Sequence, residues 1–289
     1  MQNRYLTTSA IADLADIRAQ SRWLRSGGLR LHALDYGGSG VPLVILPGIT
    51  SPAITMDFVA KQLTDVARPI VLDFRGRGFS DDGPEYKIKD YADDVEAVIR
   101  EFRLDRPILL GHSMGARVAA ATALRAHNVL NGLILVDPPL SGPARDPYPT
   151  TLEAFRTQLA QAYRGTDADE VALSWPRWSR REQELRARWL SSCSEDAIVR
   201  THQSFESEDF FDYWSRLKRP STLMYGSESP VVTAAGAAEL AAANPDVELV
   251  EVKDAGHMVF WDQPQASLAV LRDLVANAGS APRAHELYQ

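Results

Sequence analysis

Pro107-Ile108-Leu109-Leu110-Gly111-His112-Ser113-Met114-Gly115-Ala116-Arg117 is the stretch that decides the fold. A short apolar run ends in Gly-His-Ser-Met-Gly, and a helix-compatible run from Ala116 to His127 follows at once. That order is the strand–turn–helix context a G-x-S-x-G nucleophile elbow requires. A strand turning sharply into a helix puts Ser113 at the apex. Gly111 and Gly115 remove side chains where two backbones must approach closely. The serine hydroxyl then stands above a sheet, near the positive end of the following helix.

The flanks repeat the same rhythm. Leu43 to Leu46 reads as a buried strand running into the loop Pro47-Gly48-Ile49-Thr50, with a helix near Ile54 to Leu63. Pro69 to Asp73 is the next strand, and Arg75-Gly76-Arg77-Gly78 reads as its exit turn, since it lacks the lysine pattern of a phosphate loop. Asp90 to Phe102 carries Tyr91, Val95, Val98, Ile99 and Phe102 on one helical face. Gly132 to Asp137 is another apolar strand. The rhythm resumes at Ser221 to Gly226, with a helix over Ala234 to Ala243, a last strand at Val247 to Val252 and a closing helix over Ala266 to Ala276. Apolar strands alternating with amphipathic helices imply an α/β fold, a mostly parallel sheet flanked by helices. Ligands bind such sheets at the carboxyl ends of the strands.

Two segments depart from this pattern. Residues 141–215 show no buried strand; helical spacing (Leu152, Phe155, Leu159, Tyr163) and a Ser179/Glu182 capping-box spacing imply an inserted helical cap. Residues 1–22 read as an N-terminal helical extension, with Ile11, Leu14, Ala15 and Ile17 at helical spacing after Thr7, Thr8 and Ser9, or else as a mobile arm or dimer contact. The core then comprises 23–140 and 216–280, and 281–289 reads as a frayed tail.

The 289 residues suffice for one large domain, or one with an insertion. A net charge of −7 argues against general nucleic-acid binding, and an anionic substrate would need a local arginine cluster. The single cysteine, Cys193, excludes an internal disulfide framework. No signal-like or bilayer-spanning apolar run is seen, so a cytoplasmic location without membrane partner is expected. Neither metal nor cofactor is called for, and a homo-oligomer stays open.

A serine hydroxyl needs a base, and the base an orienting acid. His257 lies in Asp254-Ala255-Gly256-His257, just after the last expected strand, where the chain order serine, acid, histidine places it. His32, His112, His127, His202 and His285 fit less well. Two carboxylates follow strands beside the elbow, Asp137 and Glu228, and either reaches toward His257.

At these residues the chain resembles the α/β-hydrolase superfamily over nearly its whole length beyond residue 22. Most members place the acid in a Gly-x-x-Asp pattern after the cap; here that reads Gly226-Ser227-Glu228-Ser229, with serine where aspartate is expected. A minority draws the acid from the strand after the nucleophile helix, which is Asp137 here. The resemblance therefore implies Ser113, Asp137 and His257 as the catalytic set, with an oxyanion hole from the backbone N–H groups of Met114 and Ile49.

Pro47 to Thr55, Gly111 to Arg117, Val136 to Pro139 with Ser141 to Pro143, and the segment Trp189 to Arg200 resemble the N-formylmaleamate deformylases of nicotinate breakdown. A more distant resemblance runs to hydrolases of (acetamidomethylene)succinate. This implies a serine hydrolase acting on a small carboxylate-bearing amide, with an esterase or carbon–carbon hydrolase, and a non-enzymatic binding protein, as competitors. A carboxylate substrate calls for a cationic anchor. Arg145 is the first candidate, then Arg164 and Arg177; Arg117 faces either pocket or core.

Overall fold

The computed structural model describes residues 4–126, 129–218 and 220–279. The 281–289 tail, His127 and His285 lie outside them.

The chain begins with helix α1 (Thr8–Ala12), whose first free N–H groups are capped by Thr7: its Oγ1 accepts the Ala10 N–H at 3.1 Å. A short turn of 3₁₀-helix, Asp13–Ala15, follows. The helical extension expected over residues 1–22 ends earlier than that, and its last residues belong to a strand, β1 (Gln20–Ser26). β1 is an edge strand carrying Arg22 and Arg25, with only Leu24 and Ser26 buried, so its apolar signal is weak. The strand β2 (Leu29–Asp35), β3 (Val41–Leu46), helix α2 (Asp57–Ala60) and β4 (Ala67–Asp73) come next. The helix expected at 54–63 is broken into two 3₁₀ turns around α2. Then follow α3 (Ile88–Glu101), β5 (Ile108–His112), α4 (Met114–Ala126) and β6 (Gly132–Val136).

Five helices separate β6 from the next strand: α5 (Leu152–Arg164), α6 (Ala168–Ser174), α7 (Arg180–Trp189), α8 (Glu195–Ser207) and α9 (Phe211–Trp214). Ser179 caps α7, as its spacing from Glu182 predicts. The chain closes with β7 (Ser221–Gly226), α10 (Ala234–Ala243), β8 (Glu248–Val252), α11 (Val259–Asp262) and α12 (Pro264–Gly279).

All eight strands form one sheet, in the order β1-β2-β4-β3-β5-β6-β7-β8. β1 and β2 are antiparallel to their neighbours and the rest are parallel. Side chains alternate across it with period two. Val44, Leu46, Leu109 and Leu135 pack with Val95 and Val98 of α3 and Val118 of α4. Leu43, Ile45, Leu110 and Ile134 pack with Leu271 and Val275 of α12 and Phe260 of α11. Both faces are covered, which explains why the central strands read as unbroken apolar runs.

Helix α4 seats directly against the sheet. A Cβ on Gly115 would lie 2.0 Å from the Leu46 carbonyl oxygen, and one on Gly111 would lie 2.2 Å from the Gly115 carbonyl oxygen. Gly115→Ala is therefore expected to destabilise the protein by about 1–3 kcal/mol, as overpacked sites do. Scanning calorimetry reads this as a lowered melting midpoint; an unchanged midpoint would contradict the close seating.

Candidate active site

Five loops leave the carboxyl ends of the parallel strands β3, β5, β6, β7 and β8 on one edge of the sheet, and each brings a residue to the same place. Ser113 joins β5 to α4 with φ of +55°. A non-glycine residue held there stores strain of about 1–3 kcal/mol. The surroundings hold it: the Ser113 N–H donates to the Val136 carbonyl at 2.8 Å. Asp137, at the end of β6, is also left-handed at +49°, a conformation aspartate tolerates. Its N–H donates to the Met224 carbonyl at 2.9 Å, so the sheet pins this residue too.

His257 bridges the two. Its Nε2 lies 3.0 Å from Ser113 Oγ and its Nδ1 lies 2.6 Å from Asp137 Oδ2. An ionised carboxylate only accepts, so Nδ1 carries the proton and Nε2 is free to take one from the serine. The Asp137 side chain is fully buried. Burial pushes its carboxyl up from the ordinary carboxylate range, and hydrogen bonds from His257 and Ser229 oppose that rise. Ser229, at the position where most of the superfamily has aspartate, donates its hydroxyl to Asp137 Oδ2 at 2.6 Å. Glu228 instead pairs with Arg177 at 2.8 Å on the surface. Of the two carboxylates, Asp137 is the one that meets the imidazole.

The loop after β3 lies alongside. A Cβ on Gly48 would sit 3.6 Å from Ser113 Cβ, so the Gly48–Ile49 peptide passes beside the serine. Met114 opens α4, where helix N–H groups have no intrahelical acceptor. These are the two N–H groups singled out for an oxyanion. Arg77 fixes the first of them from behind: its Nε donates to the Ile49 carbonyl at 3.0 Å, and its other nitrogens reach Tyr91 and Thr201. The Arg75-Gly76-Arg77-Gly78 turn thus braces the loop after β3. Arg75 is spent on Asp94, at 2.7 Å.

The serine opens into a cavity of about 350 Å³ lined by residues of both sheet loops and cap, among them Ile49, Thr50, Tyr148, Phe155, Trp178 and Arg186. None of the three arginines expected to anchor a carboxylate lines it. Arg145 is bound to Glu239 at 2.6 Å, Arg164 to Glu170, and Arg177 to Glu228. Each lies near the protein surface, where a carboxylate of the chain itself is within reach. Arg117 faces the seam between core and cap, donating to the carbonyls of Ser141 and Phe205.

Arg186, on α7, is the cation that does line the cavity. Its Nη1 donates to the Thr50 carbonyl at 2.6 Å and to Thr50 Oγ1 at 2.9 Å, and its Nη2 donates to Gln158 Oε1 at 2.9 Å. Among the described residues no carboxylate pairs with it. Burial lowers its pKa to about 10, so it stays charged near neutrality. The sequence signal was weak, because α7 carries Arg180, Arg181, Arg186 and Arg188 and only the last turn's geometry tells them apart. Tyr148 was also missed: its hydroxyl lies 3.3 Å from His257 Nε2. Among the described residues no group of side chains could hold a metal ion.

Residues 41–264 match the α/β hydrolase fold family. The chain belongs to that family. It is 40% identical over 252 residues to N-formylmaleamate deformylase of Pseudomonas putida, covering 86% of this chain and 94% of the relative. The solved structure of a serine-to-alanine variant of N-formylmaleamic acid deformylase from Pseudomonas putida S16 superposes with a TM-score of 0.82 at 35% identity, covering 87% of this chain and all of that one. A 2-(acetamidomethylene)succinate hydrolase of Mesorhizobium japonicum is 27% identical over 278 residues, 91% of this chain and 98% of the relative. The chain is thus an α/β-fold hydrolase akin to enzymes that cleave amides.

The two candidate acids make opposite demands. Asp137→Asn should lower turnover of any substrate by about 10⁴-fold, since the imidazole loses its orienting acceptor. Glu228→Gln removes only a surface ion pair, and its rate should stay within about twofold of wild type. Steady-state kinetics on a nitrophenyl ester separates them; the reverse ranking would transfer the acid to Glu228.

Proposed function

We propose that this protein is a serine hydrolase that removes the formyl group of N-formylmaleamate, with Ser113 as nucleophile, His257 as base, Asp137 as its orienting acid, and the N–H groups of Ile49 and Met114 as oxyanion hole. Ser113 Oγ adds to the formyl carbon while His257 Nε2 takes its proton. The oxyanion collapses, the C–N bond breaks, and His257 returns the proton to the leaving nitrogen, freeing maleamate. Water then adds to the formyl ester with its proton going to His257, and formate leaves as Ser113 recovers its hydrogen.

One observation carries the choice of substrate: Arg186 is the single guanidinium among the cavity-lining residues, and no carboxylate among the described residues pairs with it. A buried cation facing a cavity is stabilised by an incoming carboxylate, and a planar guanidinium binds one bidentately. N-formylmaleamate offers one carboxylate. An (acetamidomethylene)succinate offers two, and among the described residues lining the cavity there is no second arginine or lysine for it. The size of the cavity also suits a small ligand.

The experiment is formate release from synthetic N-formylmaleamate by wild type, Ser113→Ala and Arg186→Gln. Wild type should release formate and Ser113→Ala should not. Arg186→Gln should raise KM about 10- to 100-fold, with a smaller effect on kcat, as expected for loss of one charge-assisted hydrogen-bond pair to the bound substrate. Cleavage of nitrophenyl esters without formate release would keep the hydrolase and discard this substrate.

A further inference from the structure

Tyr148 belongs to the segment that enters the cap, between β6 and α5, and it has no part in the chemistry assigned so far. Its ring is 4% exposed. It stacks on Phe155 with centroids 6.3 Å apart and planes 3° from parallel, and its edge contacts Phe205 at 5.4 Å. Its N–H donates to Glu206 Oε1 at 2.9 Å, tying the backbone to α8. The ring is thus held by the cap, and its hydroxyl is carried down to the reacting atoms. That hydroxyl lies 3.3 Å from His257 Nε2, the nitrogen that also meets Ser113 Oγ. Burial pushes the phenol up to about 12, so it remains a donor across the working range.

His257 Nε2 has one lone pair, and Ser113 Oγ is nearer to it than the phenol, at 3.0 Å. The phenol is therefore surplus for activating the serine. It becomes useful once the imidazole holds the serine's proton. The leaving atom must then stand within hydrogen-bond reach of Nε2, and any such atom on the cavity side is flanked by the Tyr148 hydroxyl as well.

We propose that Tyr148 is a further catalytic residue, donating a hydrogen bond to the leaving group as its bond to the acyl carbon breaks. This rests on the serine-hydrolase reading and, for its natural substrate, on the deformylase reading. In that reaction the electron pair of the breaking C–N bond passes to the nitrogen and is shared with the carbonyl oxygen next to it. The Tyr148 O–H faces that developing charge and keeps its own proton; His257 supplies the proton that ends on nitrogen. A residue of the cap thereby assists the departure of a poor leaving group. Donors placed where charge develops act in this way at oxyanion holes.

The test is Tyr148→Phe, which keeps the ring and its packing, measured on a series of aryl formates whose phenols range from strongly to weakly acidic. The variant should lose more rate the poorer the leaving group, about 100-fold at the unsubstituted phenyl ester and progressively less toward nitrophenyl esters. The plot of log kcat/KM against leaving-group pKa steepens accordingly. A uniform loss across the series would make Tyr148 a positioning residue for Ser113 and His257 only, and no loss would leave it as cap packing; either overturns the proposal. The aryl series does not depend on N-formylmaleamate. A wild type that fails to release formate from that compound while the slopes still diverge refutes the substrate and keeps the role of Tyr148.

Discussion

The arrangement depends on one fully buried carboxylate. An ionised aspartate without water is costly unless donors answer it. Asp137 Oδ2 is answered by the His257 imidazole and the Ser229 hydroxyl, while Oδ1 is buried with no hydrogen-bond partner among the described residues. Its backbone is held by β7 through the Met224 carbonyl. This fixes the end of β6, and Ser113 is fixed in turn because its N–H is bound to Val136 on the same strand. The His257 loop closes against the end of β7, where the Ser227 N–H reaches the Val252 carbonyl and the Glu228 N–H the Ala255 carbonyl. Ser113, Asp137 and His257 are therefore placed by three adjacent parallel strands and the one beyond them. His112 adds a further tie, its Nε2 donating to the His257 carbonyl at 3.0 Å, and burial holds that imidazole neutral by lowering its pKa to about 3.

The cap is attached to this frame through buried arginines. Arg77 links the loop after β3 to Thr201 of α8, Arg117 links α4 to Ser141 before α5 and to Phe205 of α8, and Arg186 links α7 to Thr50. Arg77 and Arg117 donate to protein acceptors at the seam between core and cap, with Arg117 Nε buried and without a hydrogen-bond partner among the described residues. Arg186 donates to Thr50 at the wall of the cavity, where a ligand can reach it. Fold and nucleophile are common to many hydrolases; selectivity falls to what the cap adds, namely Arg186, the aromatic wall and Tyr148.

Much of this was legible in the residues. Gly111, Ser113 and Gly115 between an apolar run and a helix specify the elbow because no other backbone fits so close to Leu46. The contact of His257 with Asp137 rather than Glu228 was legible through Ser229, where a pattern broke. Other features were hidden for physical reasons. β1 is an edge strand whose stability comes from pairing with β2, so it carries no alternating apolar signal. The arginines were misplaced because charge in a helical insertion reports nothing about direction: Arg145 turns to Glu239 on α10, ninety-odd residues away in sequence, and Arg186 turns inward. Tyr148 sits in a turn rich in proline, where its role follows only from the stacking of Phe155 and Phe205 around it.

The central claim is that the His257 imidazole is oriented by Asp137 across the sheet. The most direct measurement is the His257 Nδ1 proton in the ¹H,¹⁵N NMR spectrum of the histidine-labelled protein. A strongly downfield Nδ1 proton should be present in wild type and in Glu228→Gln, and absent or moved far upfield in Asp137→Asn. Its survival in Asp137→Asn together with its loss in Glu228→Gln would contradict the claim.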